Sequence, residues 1–174
     1  MRRVITIAIL IIICFLLQSA IFSFHDVTGS APNLLLILTM SFGIMRGRRE
    51  GLLTGFFCGF LCDVFYNSFL GPYMLLYMVI GYVNGFFHKD YLMEDLMMPV
   101  FIIAIDEFVF NFFVYICTFI IRNRTDIHFY FNKVFLPQIF FTVLATVLIY
   151  RILVMINKKL KKKQKKLVMK RNKI

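Results

Sequence analysis

Six apolar runs divide the sequence, at Val4 to Phe22, Leu34 to Met45, Gly51 to Tyr66, Pro72 to Phe87, Pro99 to Ile121 and Val134 to Ile156, each set off by polar or charged residues. A helix needs roughly 20 residues to cross ~30 Å of hydrocarbon. With flanking residues added, the pattern predicts transmembrane helices near 4–22, 30–45, 51–66, 72–87, 97–121 and 134–156. The second run is too short by itself, and crosses only if the bilayer thins, flanks are recruited or neighbouring helices shield it. Every connection is short, so neighbouring helices should be antiparallel. The predicted fold is an all-α membrane protein, a compact bundle of about six transmembrane helices in one domain over 1–156, followed by a polybasic tail over 157–174.

Composition strengthens this reading. The 174 residues are 60% hydrophobic with 22 phenylalanines, and the mean hydropathy is +0.80, whereas a soluble domain is nearer half apolar. Lys and Arg near span ends stay on the cytoplasmic side. With both termini cytoplasmic, that side holds Arg2, Arg3, Arg46, Arg48, Arg49, Lys89, Arg151 and the tail, and only Arg122, Arg124 and Lys133 fall outside. An even number of spans follows. The first segment, with its basic start and small Ser19 and Ala20, is read as a retained span rather than a cleaved signal. Tyr66, Tyr73, Tyr91, Tyr130 and Tyr150 fall near expected interfaces and suit headgroup anchoring.

The net charge of +11 is concentrated in "NKKLKKKQKKLVMKRNKI". Each Lys near an anionic leaflet is worth about 1 kcal/mol. The tail is expected to bind anionic lipids of the inner leaflet, or else to serve as a solvated flare that sets topology. Nucleic acid is not implied, because nothing beside these charges would present or stack bases.

Glycines at 47, 51, 55 and 59 recur every four residues and end one turn before Asp63. On a helix this leaves a side-chain-free face that another backbone can approach, the small-xxx-small device of membrane helices. Its occupant is either another span of the same chain or a partner protein. Asp63 continues that face. An acid at bilayer depth costs ~2.5 to 3.5 kcal/mol on insertion scales and normally turns inward to a partner. It is either a ligand, ion or proton site, or a hydrogen-bonded brace from span three to the following loop, with Arg122 and Arg124 as conceivable partners. Asp106 and Glu107, with Asn111 one turn further on, form a second polar spot. Adjacent residues point about 100° apart, so the two acids need different routes into the bundle, and structural hydrogen bonding is the preferred role.

Catalysis has little support. His25, His88 and His128 lie at loop edges and read as solvated, and no nucleophile elbow, zinc-helix or P-loop pattern is present. Ser41, Thr54 and Thr142 are expected to bond backbone carbonyls. Cys14, Cys58, Cys62 and Cys117 lie in apolar runs and read as small hydrophobes. The C-x-x-x-C pair has no matching His or Cys pair nearby. No metal, no cofactor and no enzymatic activity are expected.

From Ala31 to Phe87 the chain resembles the MreD family of bacterial rod shape-determining membrane proteins. The resemblance is carried by Pro32 and Asn33 opening span two, the "GLLTGFFCGFLCD" run to Asp63, Leu70 and Gly71 in the next loop, and Gly81 with Tyr82 in span four. "IDEFVFNF" around Asp106 is a looser likeness. The resemblance implies a non-enzymatic, multi-pass component of the bacterial cytoplasmic membrane. Such a component links actin-like MreB filaments to peptidoglycan synthesis during elongation, binds the single-span MreC, and belongs to a wider assembly with RodA and a transpeptidase. On that reading the glycine face is a candidate docking surface. The rival class is the small-molecule-binding membrane subunit of energy-coupling-factor vitamin transporters, in which Asp63 would line an outward pocket.

Overall fold

The structure is a computed structural model describing residues 2–24, 32–66, 70–88, 97–117 and 136–171. Among these residues every regular element is helical: α1 Arg2–Phe24, α2 Leu34–Arg46, α3 Arg48–Tyr66, α4 Pro72–Asn84, α5 Met97–Tyr115 and α6 Leu136–Arg171, with a 3-10 turn Gly85–His88 closing α4. Proline marks the starts. Pro32 stands just before the cap of α2, and Pro72, Pro99 and Pro137 fall in the first turns of α4, α5 and α6, where a missing N–H costs nothing and the fixed φ suits the helix. Gly47 separates α2 from α3 with φ 94°, and Gly71 precedes α4 with φ 127°. A side chain at either would strain the turn.

α2 is the axis of the bundle. It touches each of the other five helices, and every residue from Leu34 to Met45 is buried. At ~1.5 Å per residue, its 13 residues span only ~20 Å. Its N-terminus, with Asn33 and Leu34 buried, lies inside protein. Its neighbours enclose it along its whole length.

The surrounding helices turn apolar residues outward. Leu16 on α1, Phe57 on α3, Leu75 on α4, Phe101 on α5 and Leu148 on α6 are all more than half exposed. A soluble bundle would place such residues inside; here the polar residues Gln18, Asn33, Asn84, Asp106, Glu107 and Asn111 are buried instead. α5 and the Leu136–Lys159 part of α6 are long and apolar enough to cross a bilayer. α6 then continues without interruption to Arg171, so the expected boundary between membrane domain and tail lies within one helix. No Gly or Pro follows Pro137, and Lys, Leu and Gln are good helix formers.

Candidate functional site

The glycine ladder is divided between two tasks. Gly47 lies in the α2–α3 turn, facing the His88 ring, so it does not share the helix face expected for it; its positive φ places it outside the helix. Gly51, Gly55 and Gly59 lie on α3 against α4. A Cβ on Gly51 would collide with the Gly81 carbonyl oxygen, one on Gly55 with that of Tyr77, and one on Gly59 would come within 2.5 Å of Met74 Cα. α4 answers in kind, because a Cβ on Gly81 would collide with the Gly51 carbonyl and one on Gly85 with the Arg48 backbone. The groove that these glycines leave is filled by α4 of the same chain.

Asp63, one turn past Gly59 and 1% exposed, meets the start of α4. Its Oδ2 accepts hydrogen bonds from the Gly71 and Met74 N–H groups, each at 2.9 Å, and Oδ1 accepts from Tyr73 N–H at 3.2 Å. The first N–H groups of a helix lack intrahelical acceptors and carry the positive end of its dipole. A carboxylate here satisfies three of them. Pro72, in the middle of this set, has no N–H to satisfy. Leu70 is exposed, and Arg122 and Arg124 lie outside the described residues.

The start of α2 is held by three other helices. Asn33 Oδ1 accepts from its own helix at Leu36 N–H (3.1 Å) and from the Tyr77 hydroxyl of α4 (2.8 Å). Asn33 N–H donates to Thr142 Oγ1 of α6, and Leu35 N–H donates to Gln18 Oε1 of α1, both at 3.1 Å. Leu34 N–H donates to the Pro32 carbonyl at 3.1 Å, so the donors left open by the helix end are met by two side chains and one backbone carbonyl, as a buried N-terminus requires.

α5 sends its two acids to different neighbours. Asp106 Oδ2 accepts from Asn84 Nδ2 of α4 at 2.6 Å. Glu107, fully buried, accepts from Asn111 Nδ2 at 3.3 Å. Gln138 and Thr142 of α6 face its carboxyl, although Oε2 forms no hydrogen bond of full geometry. The ~100° between adjacent side chains is what lets one pair of residues reach both α4 and α6. Neither snorkels to the surface. Phe110, between Glu107 and Asn111, packs its ring on Tyr73 and Tyr77.

At the opposite end, Arg46 closes α2. Its Nε donates to Asn157 Oδ1 of α6 at 3.0 Å, its guanidinium pairs with Glu50 at 2.8 Å, and it lies over the Phe42 ring. Arg48 stacks on Phe86. His88 Nδ1 lies 2.7 Å from the Ile44 carbonyl, so this half-buried histidine is a closing contact for α2 and not a solvated loop residue as its sequence position implied. Tyr150 also departs from expectation. It is 1% exposed, in the core and not at an interface, because its position on α6 shares the inward face with Leu153 and Val154. His25, His128, Tyr91 and Tyr130 lie outside the described residues.

Thr54 and Thr146 bond the carbonyls of Glu50 and Thr142 one turn back, while Thr142 accepts from Asn33 and Ser41 Oγ has no partner among the described residues. Cys14, Cys58 and Cys62 are free and buried. Among the described residues no group of His, Cys, Asp and Glu could hold a metal ion. Gln18, Tyr77, Asn84 and Gln138 were not singled out from the sequence. Their signal was present: three amides and one hydroxyl, each interrupting an apolar run.

A helical bundle that turns apolar residues outward on five helices and uses its polar side chains to join helices within is an integral membrane protein. The chain belongs to the MreD family: the model of the rod shape-determining protein MreD matches residues 1–160, all six helices up to the lysine-rich end of α6. Its role is in rod-shape determination, as a bacterial membrane component of the shape-determining machinery. No curated protein and no solved structure matches the chain.

Proposed function

We propose that this chain is a non-enzymatic scaffold of the cell-elongation machinery, binding an MreC-like single-span protein and thereby linking MreB filaments to peptidoglycan synthesis by RodA and its transpeptidase. The observation that carries this reading is the family match across 1–160. The chain crosses the cytoplasmic membrane six times with both termini inside, in keeping with the basic residues at the Arg46–Glu50 turn and the end of α6. Lys158 and Lys159 meet the anionic inner leaflet.

Within this role the glycines and Asp63 act on the scaffold's own shape. The α3–α4 packing and the three hydrogen bonds to Asp63 support assigning these residues to internal bracing, which leaves the outward faces of α1, α5 and α6 for partners. The test is depletion in the source cell together with affinity purification of the full chain. Rounded cells and recovery of an MreC-like single-span protein are expected. Normal shape with loss of vitamin uptake, or a small molecule retained through purification, would overturn the scaffold in favour of the transporter class.

A further inference from the structure

Arg151 stands apart from every other described charge. It is exposed on the outward face of α6, six residues before Asn157, hence ~9 Å deeper in the bundle at ~1.5 Å per residue than the level where Asn157 meets Arg46. Its neighbours on that face are apolar: Leu144, Leu148 and Met155 are 56%, 67% and 58% exposed. The opposite face of the same turns, with Tyr150, Leu153 and Asn157, is buried. Arg151 therefore points away from its own bundle.

Nothing in the described chain neutralises it. Glu50 is paired with Arg46, Asp63 with the start of α4, Asp106 with Asn84, and Glu107 faces Asn111 and the inward side of α6. Arg151 itself has no hydrogen-bond or ion-pair partner among the described residues. A cation within a span is costly and ordinarily marks a functional contact. Its spacing is also informative. Leu144, Leu148, Arg151 and Met155 follow one another at four, three and four residues, the seam along which two helices pack over successive turns, where a single polar residue sets register and partner choice.

We propose that this stripe of α6 is the docking seam for the membrane span of a single-span partner, and that a carboxylate in the inner half of that span pairs with the Arg151 guanidinium. The proposal rests on the scaffold reading above and adds the surface and the recognition chemistry. The planar guanidinium suits bidentate pairing with a carboxylate. A lipid phosphate shares that chemistry, but the exposed Lys158 and Lys159 lie seven and eight residues closer to the end of α6, and a phosphate contact requires no apolar seam on either side of the charge.

The test is co-expression of the full chain with its MreC-like partner and measurement of partner recovered in mild detergent. Arg151→Leu and Arg151→Glu are expected to lower recovery about tenfold, the scale of one polar contact between membrane helices, while Arg151→Lys keeps most of it. Replacing the partner's inner-half carboxylate by Lys should restore recovery with Arg151→Glu. A photocrosslinker at Leu148, in an otherwise unaltered chain, should capture the partner, and one at Leu75 on α4 should not. Undiminished recovery with both Arg151→Leu and Arg151→Glu, or capture of lipid alone at Leu148 in phosphatidylglycerol membranes, overturns the seam while leaving the scaffold intact. Failure of the unaltered chain to recover any single-span partner overturns both.

Discussion

Gly51 and Gly81 pack backbone on backbone: a Cβ built on either one collides with the carbonyl oxygen of the other. α3 and α4 thus meet at a separation that no side chain permits, and the pair forms a firm wall against which α2 rests. In membranes such contact carries much of the association energy, since water gives no drive to bury apolar surface there.

Gly55→Ala is the direct probe of that wall. In an open helix the change would stabilise by about 1 kcal/mol. Here the new methyl meets the Tyr77 carbonyl, so a net loss of about 1 to 3 kcal/mol is expected from overpacking. Thermal unfolding in detergent measures it; an unchanged or raised midpoint would show that α4 is not held at this distance.

Asp63→Asn keeps the size of the side chain and replaces one acceptor oxygen by a donor. Whichever way the amide turns, at least one of the Gly71, Tyr73 and Met74 N–H groups loses its acceptor. A loss of about 1 to 3 kcal/mol follows from an unsatisfied buried donor. Amide hydrogen exchange should accelerate at Tyr73 and Met74 in particular, and protection equal to the parent protein at both would contradict the role.

Tyr77→Phe removes only the hydroxyl that donates to Asn33 and leaves the ring on Phe110, so about 1 kcal/mol is expected. Asn33→Ala should cost more, because it strands both the Tyr77 hydroxyl and the Leu36 N–H. A double-mutant cycle should return a coupling of about 0.5 to 3 kcal/mol, and strict additivity would mean that the two side chains do not interact.

Asn84→Leu leaves the Asp106 carboxyl buried without its donor, and such one-sided loss is expected to destabilise by about 3 to 5 kcal/mol if the acid is charged. Adding Asp106→Leu should recover most of that, since an apolar pair replaces a polar one. Unfolding midpoints of the two single variants and the double variant decide the matter: a double variant no better than Asn84→Leu would remove this contact from the account of how α5 is attached.

The lysine-rich end, the apolar runs and the run starts at Pro72 and Pro99 are local properties, so they are legible without a structure: hydropathy and a missing N–H act on the residue that bears them. The same holds for the four-residue spacing from Gly51 to Asp63, which places these residues on one face wherever the helix goes. The position of α2 is different. A short apolar run reads alike whether it is central or peripheral, and only contact with all five other helices distinguishes the two. Asp63 could not be matched to its partners from side-chain chemistry, because those partners are backbone N–H groups that every residue except proline possesses. Asp106 and Glu107 carried a clear angular separation, but which helix would stand at each angle was open.

What the sequence determined by itself is therefore a helical membrane chain with polar residues that must turn inward, since hydrocarbon solvates neither charges nor amides. The tertiary structure decided which groups they meet inside, and it left Arg151 facing outward. Helical periodicity assigns a residue to a face, while the neighbour across that face is chosen by the packing of the whole bundle.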